Sequence, residues 1–242
     1  MSNPIPAPTP SSSRPTLQQM TVEQRANFVT EDLVAMLKND LRVLVESGCP
    51  DHGCRQPNGS IYSAPNFSIA LTCMIACETL GALGSPATAT NDPQRTQLFL
   101  ARVGQLAGDP RYDQYSRLLI ALFRNGVAHS FLPKQRPDIA SGVTWAVGWC
   151  IDKLAQVDVS SLRSMVHLSE NGPPNERTFR VVAQLLYLDV VRAIDDFADD
   201  LRRRNPSLMA VFPDNFDRWL AGNERLDCMK YLTAAEMKLL CP

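Results

Sequence analysis

The stretch DPRYDQYSRLLIALFRNGVAHSFLPK, residues 109–134, decides how the chain is read. Asp109-Pro110 opens it as a helix start, because Asp caps free N–H groups and Pro suits the first helical position. Tyr115, Leu118, Leu119, Leu122, Phe123 and Gly126 then recur at helical spacing and form a core-facing stripe. Pro133 and Pro137 end any helix soon after His129. The helix therefore terminates in Arg124-Asn125-Gly126-Val127-Ala128-His129, with its polar groups at the end of an otherwise apolar element.

The same spacing recurs on both sides. Upstream, Thr21-Val22-Glu23-Gln24 fits a capping box, and Phe28, Leu33, Leu37, Leu41 and Leu44 continue the helical pattern to Ser47-Gly48-Cys49-Pro50. Thr30 is a candidate second N-cap, which would divide this stretch into a short helix and a long one. Asn66 to Leu83 is apolar around nearly its whole circumference, which places it in the middle of a bundle. Asp92-Pro93 starts a further helix that runs to about Leu106 and stops at Gly108. Downstream the period changes to two: Val143, Trp145, Val147, Trp149 and Ile151 alternate as a strand, with Leu162 to Leu168 as its candidate partner. A long helix carrying Phe179, Val182, Leu186, Val190, Phe197 and Leu201 follows and ends in Arg202-Arg203-Arg204. Short helices close the chain, the last capped by Thr233-Ala234-Ala235-Glu236.

The expected fold is mainly α: a bundle of four to five helices with a small β-hairpin insertion at about 140–169 and short C-terminal helices. Residues 1–19, rich in Pro, Ser and Thr with little to bury, read as a disordered tail. Residues 20–206 form the helical domain and 207–242 a helical extension. A net charge of −1 supplies no global field for nucleic acid, so any phosphate-binding surface must come from local clustering. Seven cysteines with no apolar leader predict free thiols in the cytoplasm, and no membrane association is expected.

Arg124, Asn125 and His129 are the candidates for chemistry. On a regular helix Arg124 and His129 lie about 140° apart, so they converge on one ligand only if Arg124 reaches around, the last turn unwinds or a second subunit supplies the opposing copy. A permanent guanidinium that holds a phosphate, beside an imidazole that moves a proton near neutrality, suits phosphodiester chemistry. Glu78 joins them because it is the only charged residue between Asn66 and Leu83; a lone carboxylate on an apolar helix needs a partner, and Arg124 can supply it. The plainer readings are a salt bridge and a helix end that suits its dipole.

A helix ending in Arg-polar-x-x-x-His within a small helical bundle resembles the HEPN superfamily (higher eukaryotes and prokaryotes nucleotide-binding). The likeness rests on Arg124, Asn125 and His129, on the flanks Leu118–Phe123 and Ser130–Lys134, and on Cys77-Glu78-Thr79-Leu80-Gly81 upstream. It covers about residues 22 to 204. Arg, four residues and His recur by chance in roughly a quarter of chains this long, but Asn directly after Arg lowers that to roughly one in a hundred. The resemblance implies a homodimeric, metal-independent endoribonuclease of a toxin or antiviral defence system, with RNA as substrate, no cofactor, and an antitoxin or defence protein as partner. His129 would be the general acid/base, Arg124 the phosphate clamp and Asn125 an orienting group. Toxin members of one subgroup carry a tyrosine two residues after His, where a partner enzyme attaches AMP; Phe131 stands there and lacks the hydroxyl. The alternative is a non-catalytic HEPN-like module that binds RNA, a nucleotide or a protein.

Other clusters read more plainly. Cys49, His52 and Cys54, with Cys228 or Cys241, are spaced too loosely for a zinc site, and Cys73 and Cys77 read as core filler. His167 has no partner spaced around it, and Asp195-Asp196 with Asp199-Asp200 reads as a solvated acidic face.

Overall fold

The computed structural model describes residues 17–47, 54–55, 61–62, 66–127, 136–138, 143–149 and 159–224. It is mainly helical, and the capping box that starts it is complete. The Gln24 amide donates to Thr21 Oγ1, and the Thr21 amide donates to Gln24 Oε1. Helix α1 (Val22–Asn27) passes without a break through a π-helical segment, Phe28–Leu33, into α2 (Val34–Ser47). Thr30 is no second cap: its hydroxyl donates to the Asn27 carbonyl and the wide turn absorbs the irregularity.

Two short strands, β1 (Cys54–Arg55) and β2 (Ile61–Tyr62), pair antiparallel. Helix α3 (Asn66–Gly84) then runs through the centre of the molecule, with Ala70, Cys73, Met74, Ala76, Cys77, Leu80 and Leu83 all fully buried. Its segment Phe67–Gly84 is long and apolar enough to cross a membrane by length and composition, but half of it is buried inside the fold. Helix α4 (Asp92–Ala107) starts on an Asn91 side-chain cap and ends on left-handed Gly108. Gly81 lets α3 and α4 cross closely, because a Cβ there would strike the Arg95 carbonyl. Two single-turn helices follow, α5 (Arg111–Gln114) and α6 (Ser116–Leu119), and the chain then widens into a π-helical segment, Ile120–Val127.

The second half adds β3 (Arg136–Asp138), β4 (Val143–Trp149), α7 (Val159–Met165), β5 (Ser169–Asn171), β6 (Glu176–Val181), α8 (Ala183–Arg202), α9 (Pro206–Met209) and α10 (Phe212–Glu224). The expected strand from Val143 forms as β4, but its antiparallel neighbour is β3 and not the Leu162–Leu168 stretch, and both belong to a four-stranded sheet in the order β3-β4-β6-β5. Strand β4 pairs parallel with β6, Thr144 opposite Glu176 and Trp149 opposite Val181, and α7 lies in the chain between them, as a parallel crossover needs. Two expectations are corrected here. The whole Leu162–Leu168 stretch is helix and turn, and the strand that follows begins at Ser169. Phe179 lies in β6, where Phe179 and Val181 point inward and Arg180 outward, so α8 begins only at Ala183. The proposed cap at Thr233 lies outside the described residues.

Sheet and bundle meet at a buried polar chain. The Val182 amide donates to His167 Nδ1, which puts the ring proton on Nε2. Nε2–H then donates to Tyr112 Oη at 3.0 Å, and the Tyr112 hydroxyl donates to Asp189 Oδ2 at 2.8 Å. Arg163 closes the chain with two hydrogen bonds to Asp189, at 2.6 and 2.7 Å, while Arg111 grips Asp109 and the Arg163 carbonyl. Burial alone would raise the Asp109 carboxyl, but its Arg111 hydrogen bonds outweigh that and hold it below the usual range. His167, fully buried and facing Arg163, is pushed down from 6.5 to about 3.

A neutral histidine inside the fold has a definite pH signature. Its folded pKa lies below its unfolded one, so the unfolded chain takes up the proton first as pH falls. The associated stability is complete above pH 6.5 and drains away toward about 3. Urea unfolding between pH 6.5 and about 5, above most carboxylate titrations, should lose up to about 1.4 kcal/mol per pH unit in the wild type. His167→Gln should be less stable at neutral pH but flatter across that interval. Equal slopes in both proteins would show that His167 is not held neutral.

Candidate functional site

The π-helical segment Ile120–Val127 buries Leu122 and Phe123 against α3 and turns Arg124 toward that helix's uncovered side. There it meets Glu78. Arg124 Nε donates to Glu78 Oε2 at 2.8 Å and Nη2 donates to Oε1 at 2.7 Å, a two-point pairing that fixes the plane of the guanidinium. The Glu78 side chain is 24% exposed and the Arg124 side chain 39%, so the pair lies at the surface. The hydrogen bonds that Arg124 donates to Glu78 raise its pKa further, against a smaller opposing effect of burial.

Of the four residues singled out from sequence, the structure brings Arg124 and Glu78 together. Asn125 has its backbone in the π-helical segment, and its side chain lies outside the described residues, as does the whole of His129. A π-helix bonds each amide to the carbonyl five residues back.

A feature that sequence reading missed lies beside the pair. Glu78 forms part of the floor of a groove of about 430 Å³ between α3, the start of α4, and α10. Arg95 forms one wall, held by Asp92 Oδ1 at 3.1 Å and the Ala89 carbonyl at 3.2 Å. Arg218 and Trp219 form the other. The α10 wall is locked in place by Asn215, whose buried amide donates to the carbonyls of Leu83 and Ser85 at the end of α3.

The remaining candidates separate cleanly. Asp195 pairs with Lys38, Asp196 and Asp200 share Arg102, and Asp199 takes Arg202, so the acidic face of α8 is a set of interhelix and local ion pairs. Arg204 pairs with Glu23. Cys73 and Cys77 are free thiols whose pKa burial raises well above the usual range, which makes them unreactive packing. Cys49, His52, Cys228 and Cys241 lie outside the described residues, and so does the side chain of Cys54. No group of three or more His, Cys, Asp or Glu is placed to hold a metal among the described residues.

The ion pair can be measured directly. A double-mutant cycle of Glu78→Ala and Arg124→Ala, read by urea unfolding, should give a coupling of about 1 kcal/mol, modest because both groups reach solvent. A coupling indistinguishable from zero would mean that Glu78 does not hold Arg124. Comparison with known proteins finds no family model that matches the chain, and no curated protein or solved structure that matches it.

Proposed function

We propose that the chain is a metal-independent endoribonuclease of HEPN type, acting as a homodimer in the cytoplasm within a toxin or antiviral defence system. The observation that carries this reading is the pairing of Arg124 with Glu78 at the rim of an open groove. It orients the guanidinium of the Arg-Asn-x-x-x-His motif at the surface, where a phosphodiester can approach.

In this reaction the RNA supplies its own nucleophile. The 2′-oxygen attacks the adjacent phosphorus, the bond from phosphorus to the 5′-oxygen breaks, and the products are a 2′,3′-cyclic phosphate and a 5′-hydroxyl. His129 moves the proton, as base toward the 2′-hydroxyl or as acid toward the leaving oxygen, and the opposing copy in the dimer supplies the second group. Arg124 neutralises the charge that develops on the phosphoryl oxygens, and Glu78 holds it in register. Asn125 orients the phosphate, and an antitoxin or defence protein is the partner that restrains the activity.

One observation favours the second reading, a module that binds RNA, a nucleotide or a protein without cutting. Two of the Arg124 donors already satisfy Glu78, so the pair is stable without substrate. The two readings part on one experiment. Purified wild type should convert single-stranded RNA to fragments ending in 2′,3′-cyclic phosphate, with full activity in EDTA, and His129→Ala should lower the rate by about a hundredfold or more. Intact RNA with folded wild-type protein would overturn the nuclease.

A further inference from the structure

The groove beside Arg124 has the shape and chemistry of a nucleotide seat. Helix α3 is wrapped almost completely, with Met74, Ala76 and Cys77 fully buried, yet Ile75 between them is 45% exposed and lies in the groove floor. An aliphatic side chain left open on a core helix, next to the indole of Trp219, makes an apolar surface on which a flat base can rest. The volume of about 430 Å³ falls within the range of small-ligand pockets.

The charges are unevenly settled. Arg95 is paired with Asp92, and Arg124 with Glu78. Arg218 bonds only neutral oxygens among the described residues, the Asp214 carbonyl and Asn215 Oδ1, and makes no ion pair there. A guanidinium held in place beside a pocket and lacking a carboxylate suits an incoming phosphate. Asn215, which accepts from it, is itself tied to the end of α3.

We propose that this groove seats one nucleotide of single-stranded RNA, its base against Ile75 and Trp219 and its phosphate on Arg218, next to the phosphodiester at Arg124. The assignment rests on the ribonuclease reading for its ligand class, and it gives α10 a role as one wall of the RNA path. One cation without an ion pair among the described residues makes the seat weak alone and effective as an extension of the site.

Two variants probe the groove without touching the cleaving groups. Arg218→Glu reverses the phosphate contact. Gly222→Trp fills the groove from α10, where a Cβ meets nothing within 4 Å and replacing glycine favours the helix. Binding of a short fluorescein-labelled oligouridylate is followed by anisotropy in wild type, both variants and His129→Ala, with thermal melts confirming the fold. Each groove variant should weaken binding by about tenfold or more, while His129→Ala binds like wild type. Groove variants that bind and cut RNA like wild type would overturn the seat and leave the nuclease standing. Groove-dependent binding with no cleavage by any form would keep the seat and overturn the nuclease. Folded wild type that neither binds nor cuts the oligomer would overturn both.

Discussion

A helix that is apolar on every side has to be surrounded, and most of the architecture follows from surrounding α3. Helices α2, α4, α8 and α10 and the Ile120–Val127 segment all pack on it. Its small residues set how closely they come, Gly81 admitting α4 at its own backbone. The enclosure is incomplete along the stripe of Ile75, Glu78 and Ala82, and the Arg124–Glu78 pair and the groove lie along that gap. A carboxylate deeper in α3 would have faced desolvation of several kcal/mol. At the gap it keeps water on one side and a guanidinium on the other.

The junction between sheet and bundle follows the opposite logic. Tyr112, His167, Asp109 and Asp189 are all buried, and burying polar groups is unfavourable unless each finds a partner. Here each does. The neutral tautomer of His167 has one acceptor for the Val182 amide and one donor for Tyr112, so the imidazole serves as a two-ended connector. Directional bonds of this kind fix the angle at which β6 hands over to α8, which apolar packing alone would leave looser.

Much of this was legible in the residues. Thr21 with Gln24, the apolar run of α3, and Gly108 each mark a boundary through a local rule, and each boundary stands where the rule puts it. Glu78 was legible for a different reason: one charge on an apolar helix demands a partner, and Arg124 was the candidate. The π-helical segments were not, because no residue pattern distinguishes a wide turn from a regular one. Strand β6 was hidden because Phe179 and Val182 fall into phase with the helical stripe of α8, and periodicity cannot separate the two over so short a run. The groove was hidden because its walls come from residues near 75–82, 92–95 and 215–222, which only the folded chain brings together.

The C-terminal helix shows how such a site is held. The last carbonyls of α3 have no partner within the helix and would ordinarily face water or a glycine cap. The Asn215 amide satisfies two carbonyls there, those of Leu83 and Ser85, from 132 and 130 residues further along the sequence. Arg25 adds a second fastening, pairing with Asp217 and lying over the Phe216 ring 5.2 Å from its centroid. Helix α10 is thus secured to both the start and the middle of the bundle. The wall bearing Arg218 and Trp219 therefore has to move with the core helix that bears Glu78, and the spacing between the groove and the Arg124 guanidinium is set by the same contacts that keep the bundle closed.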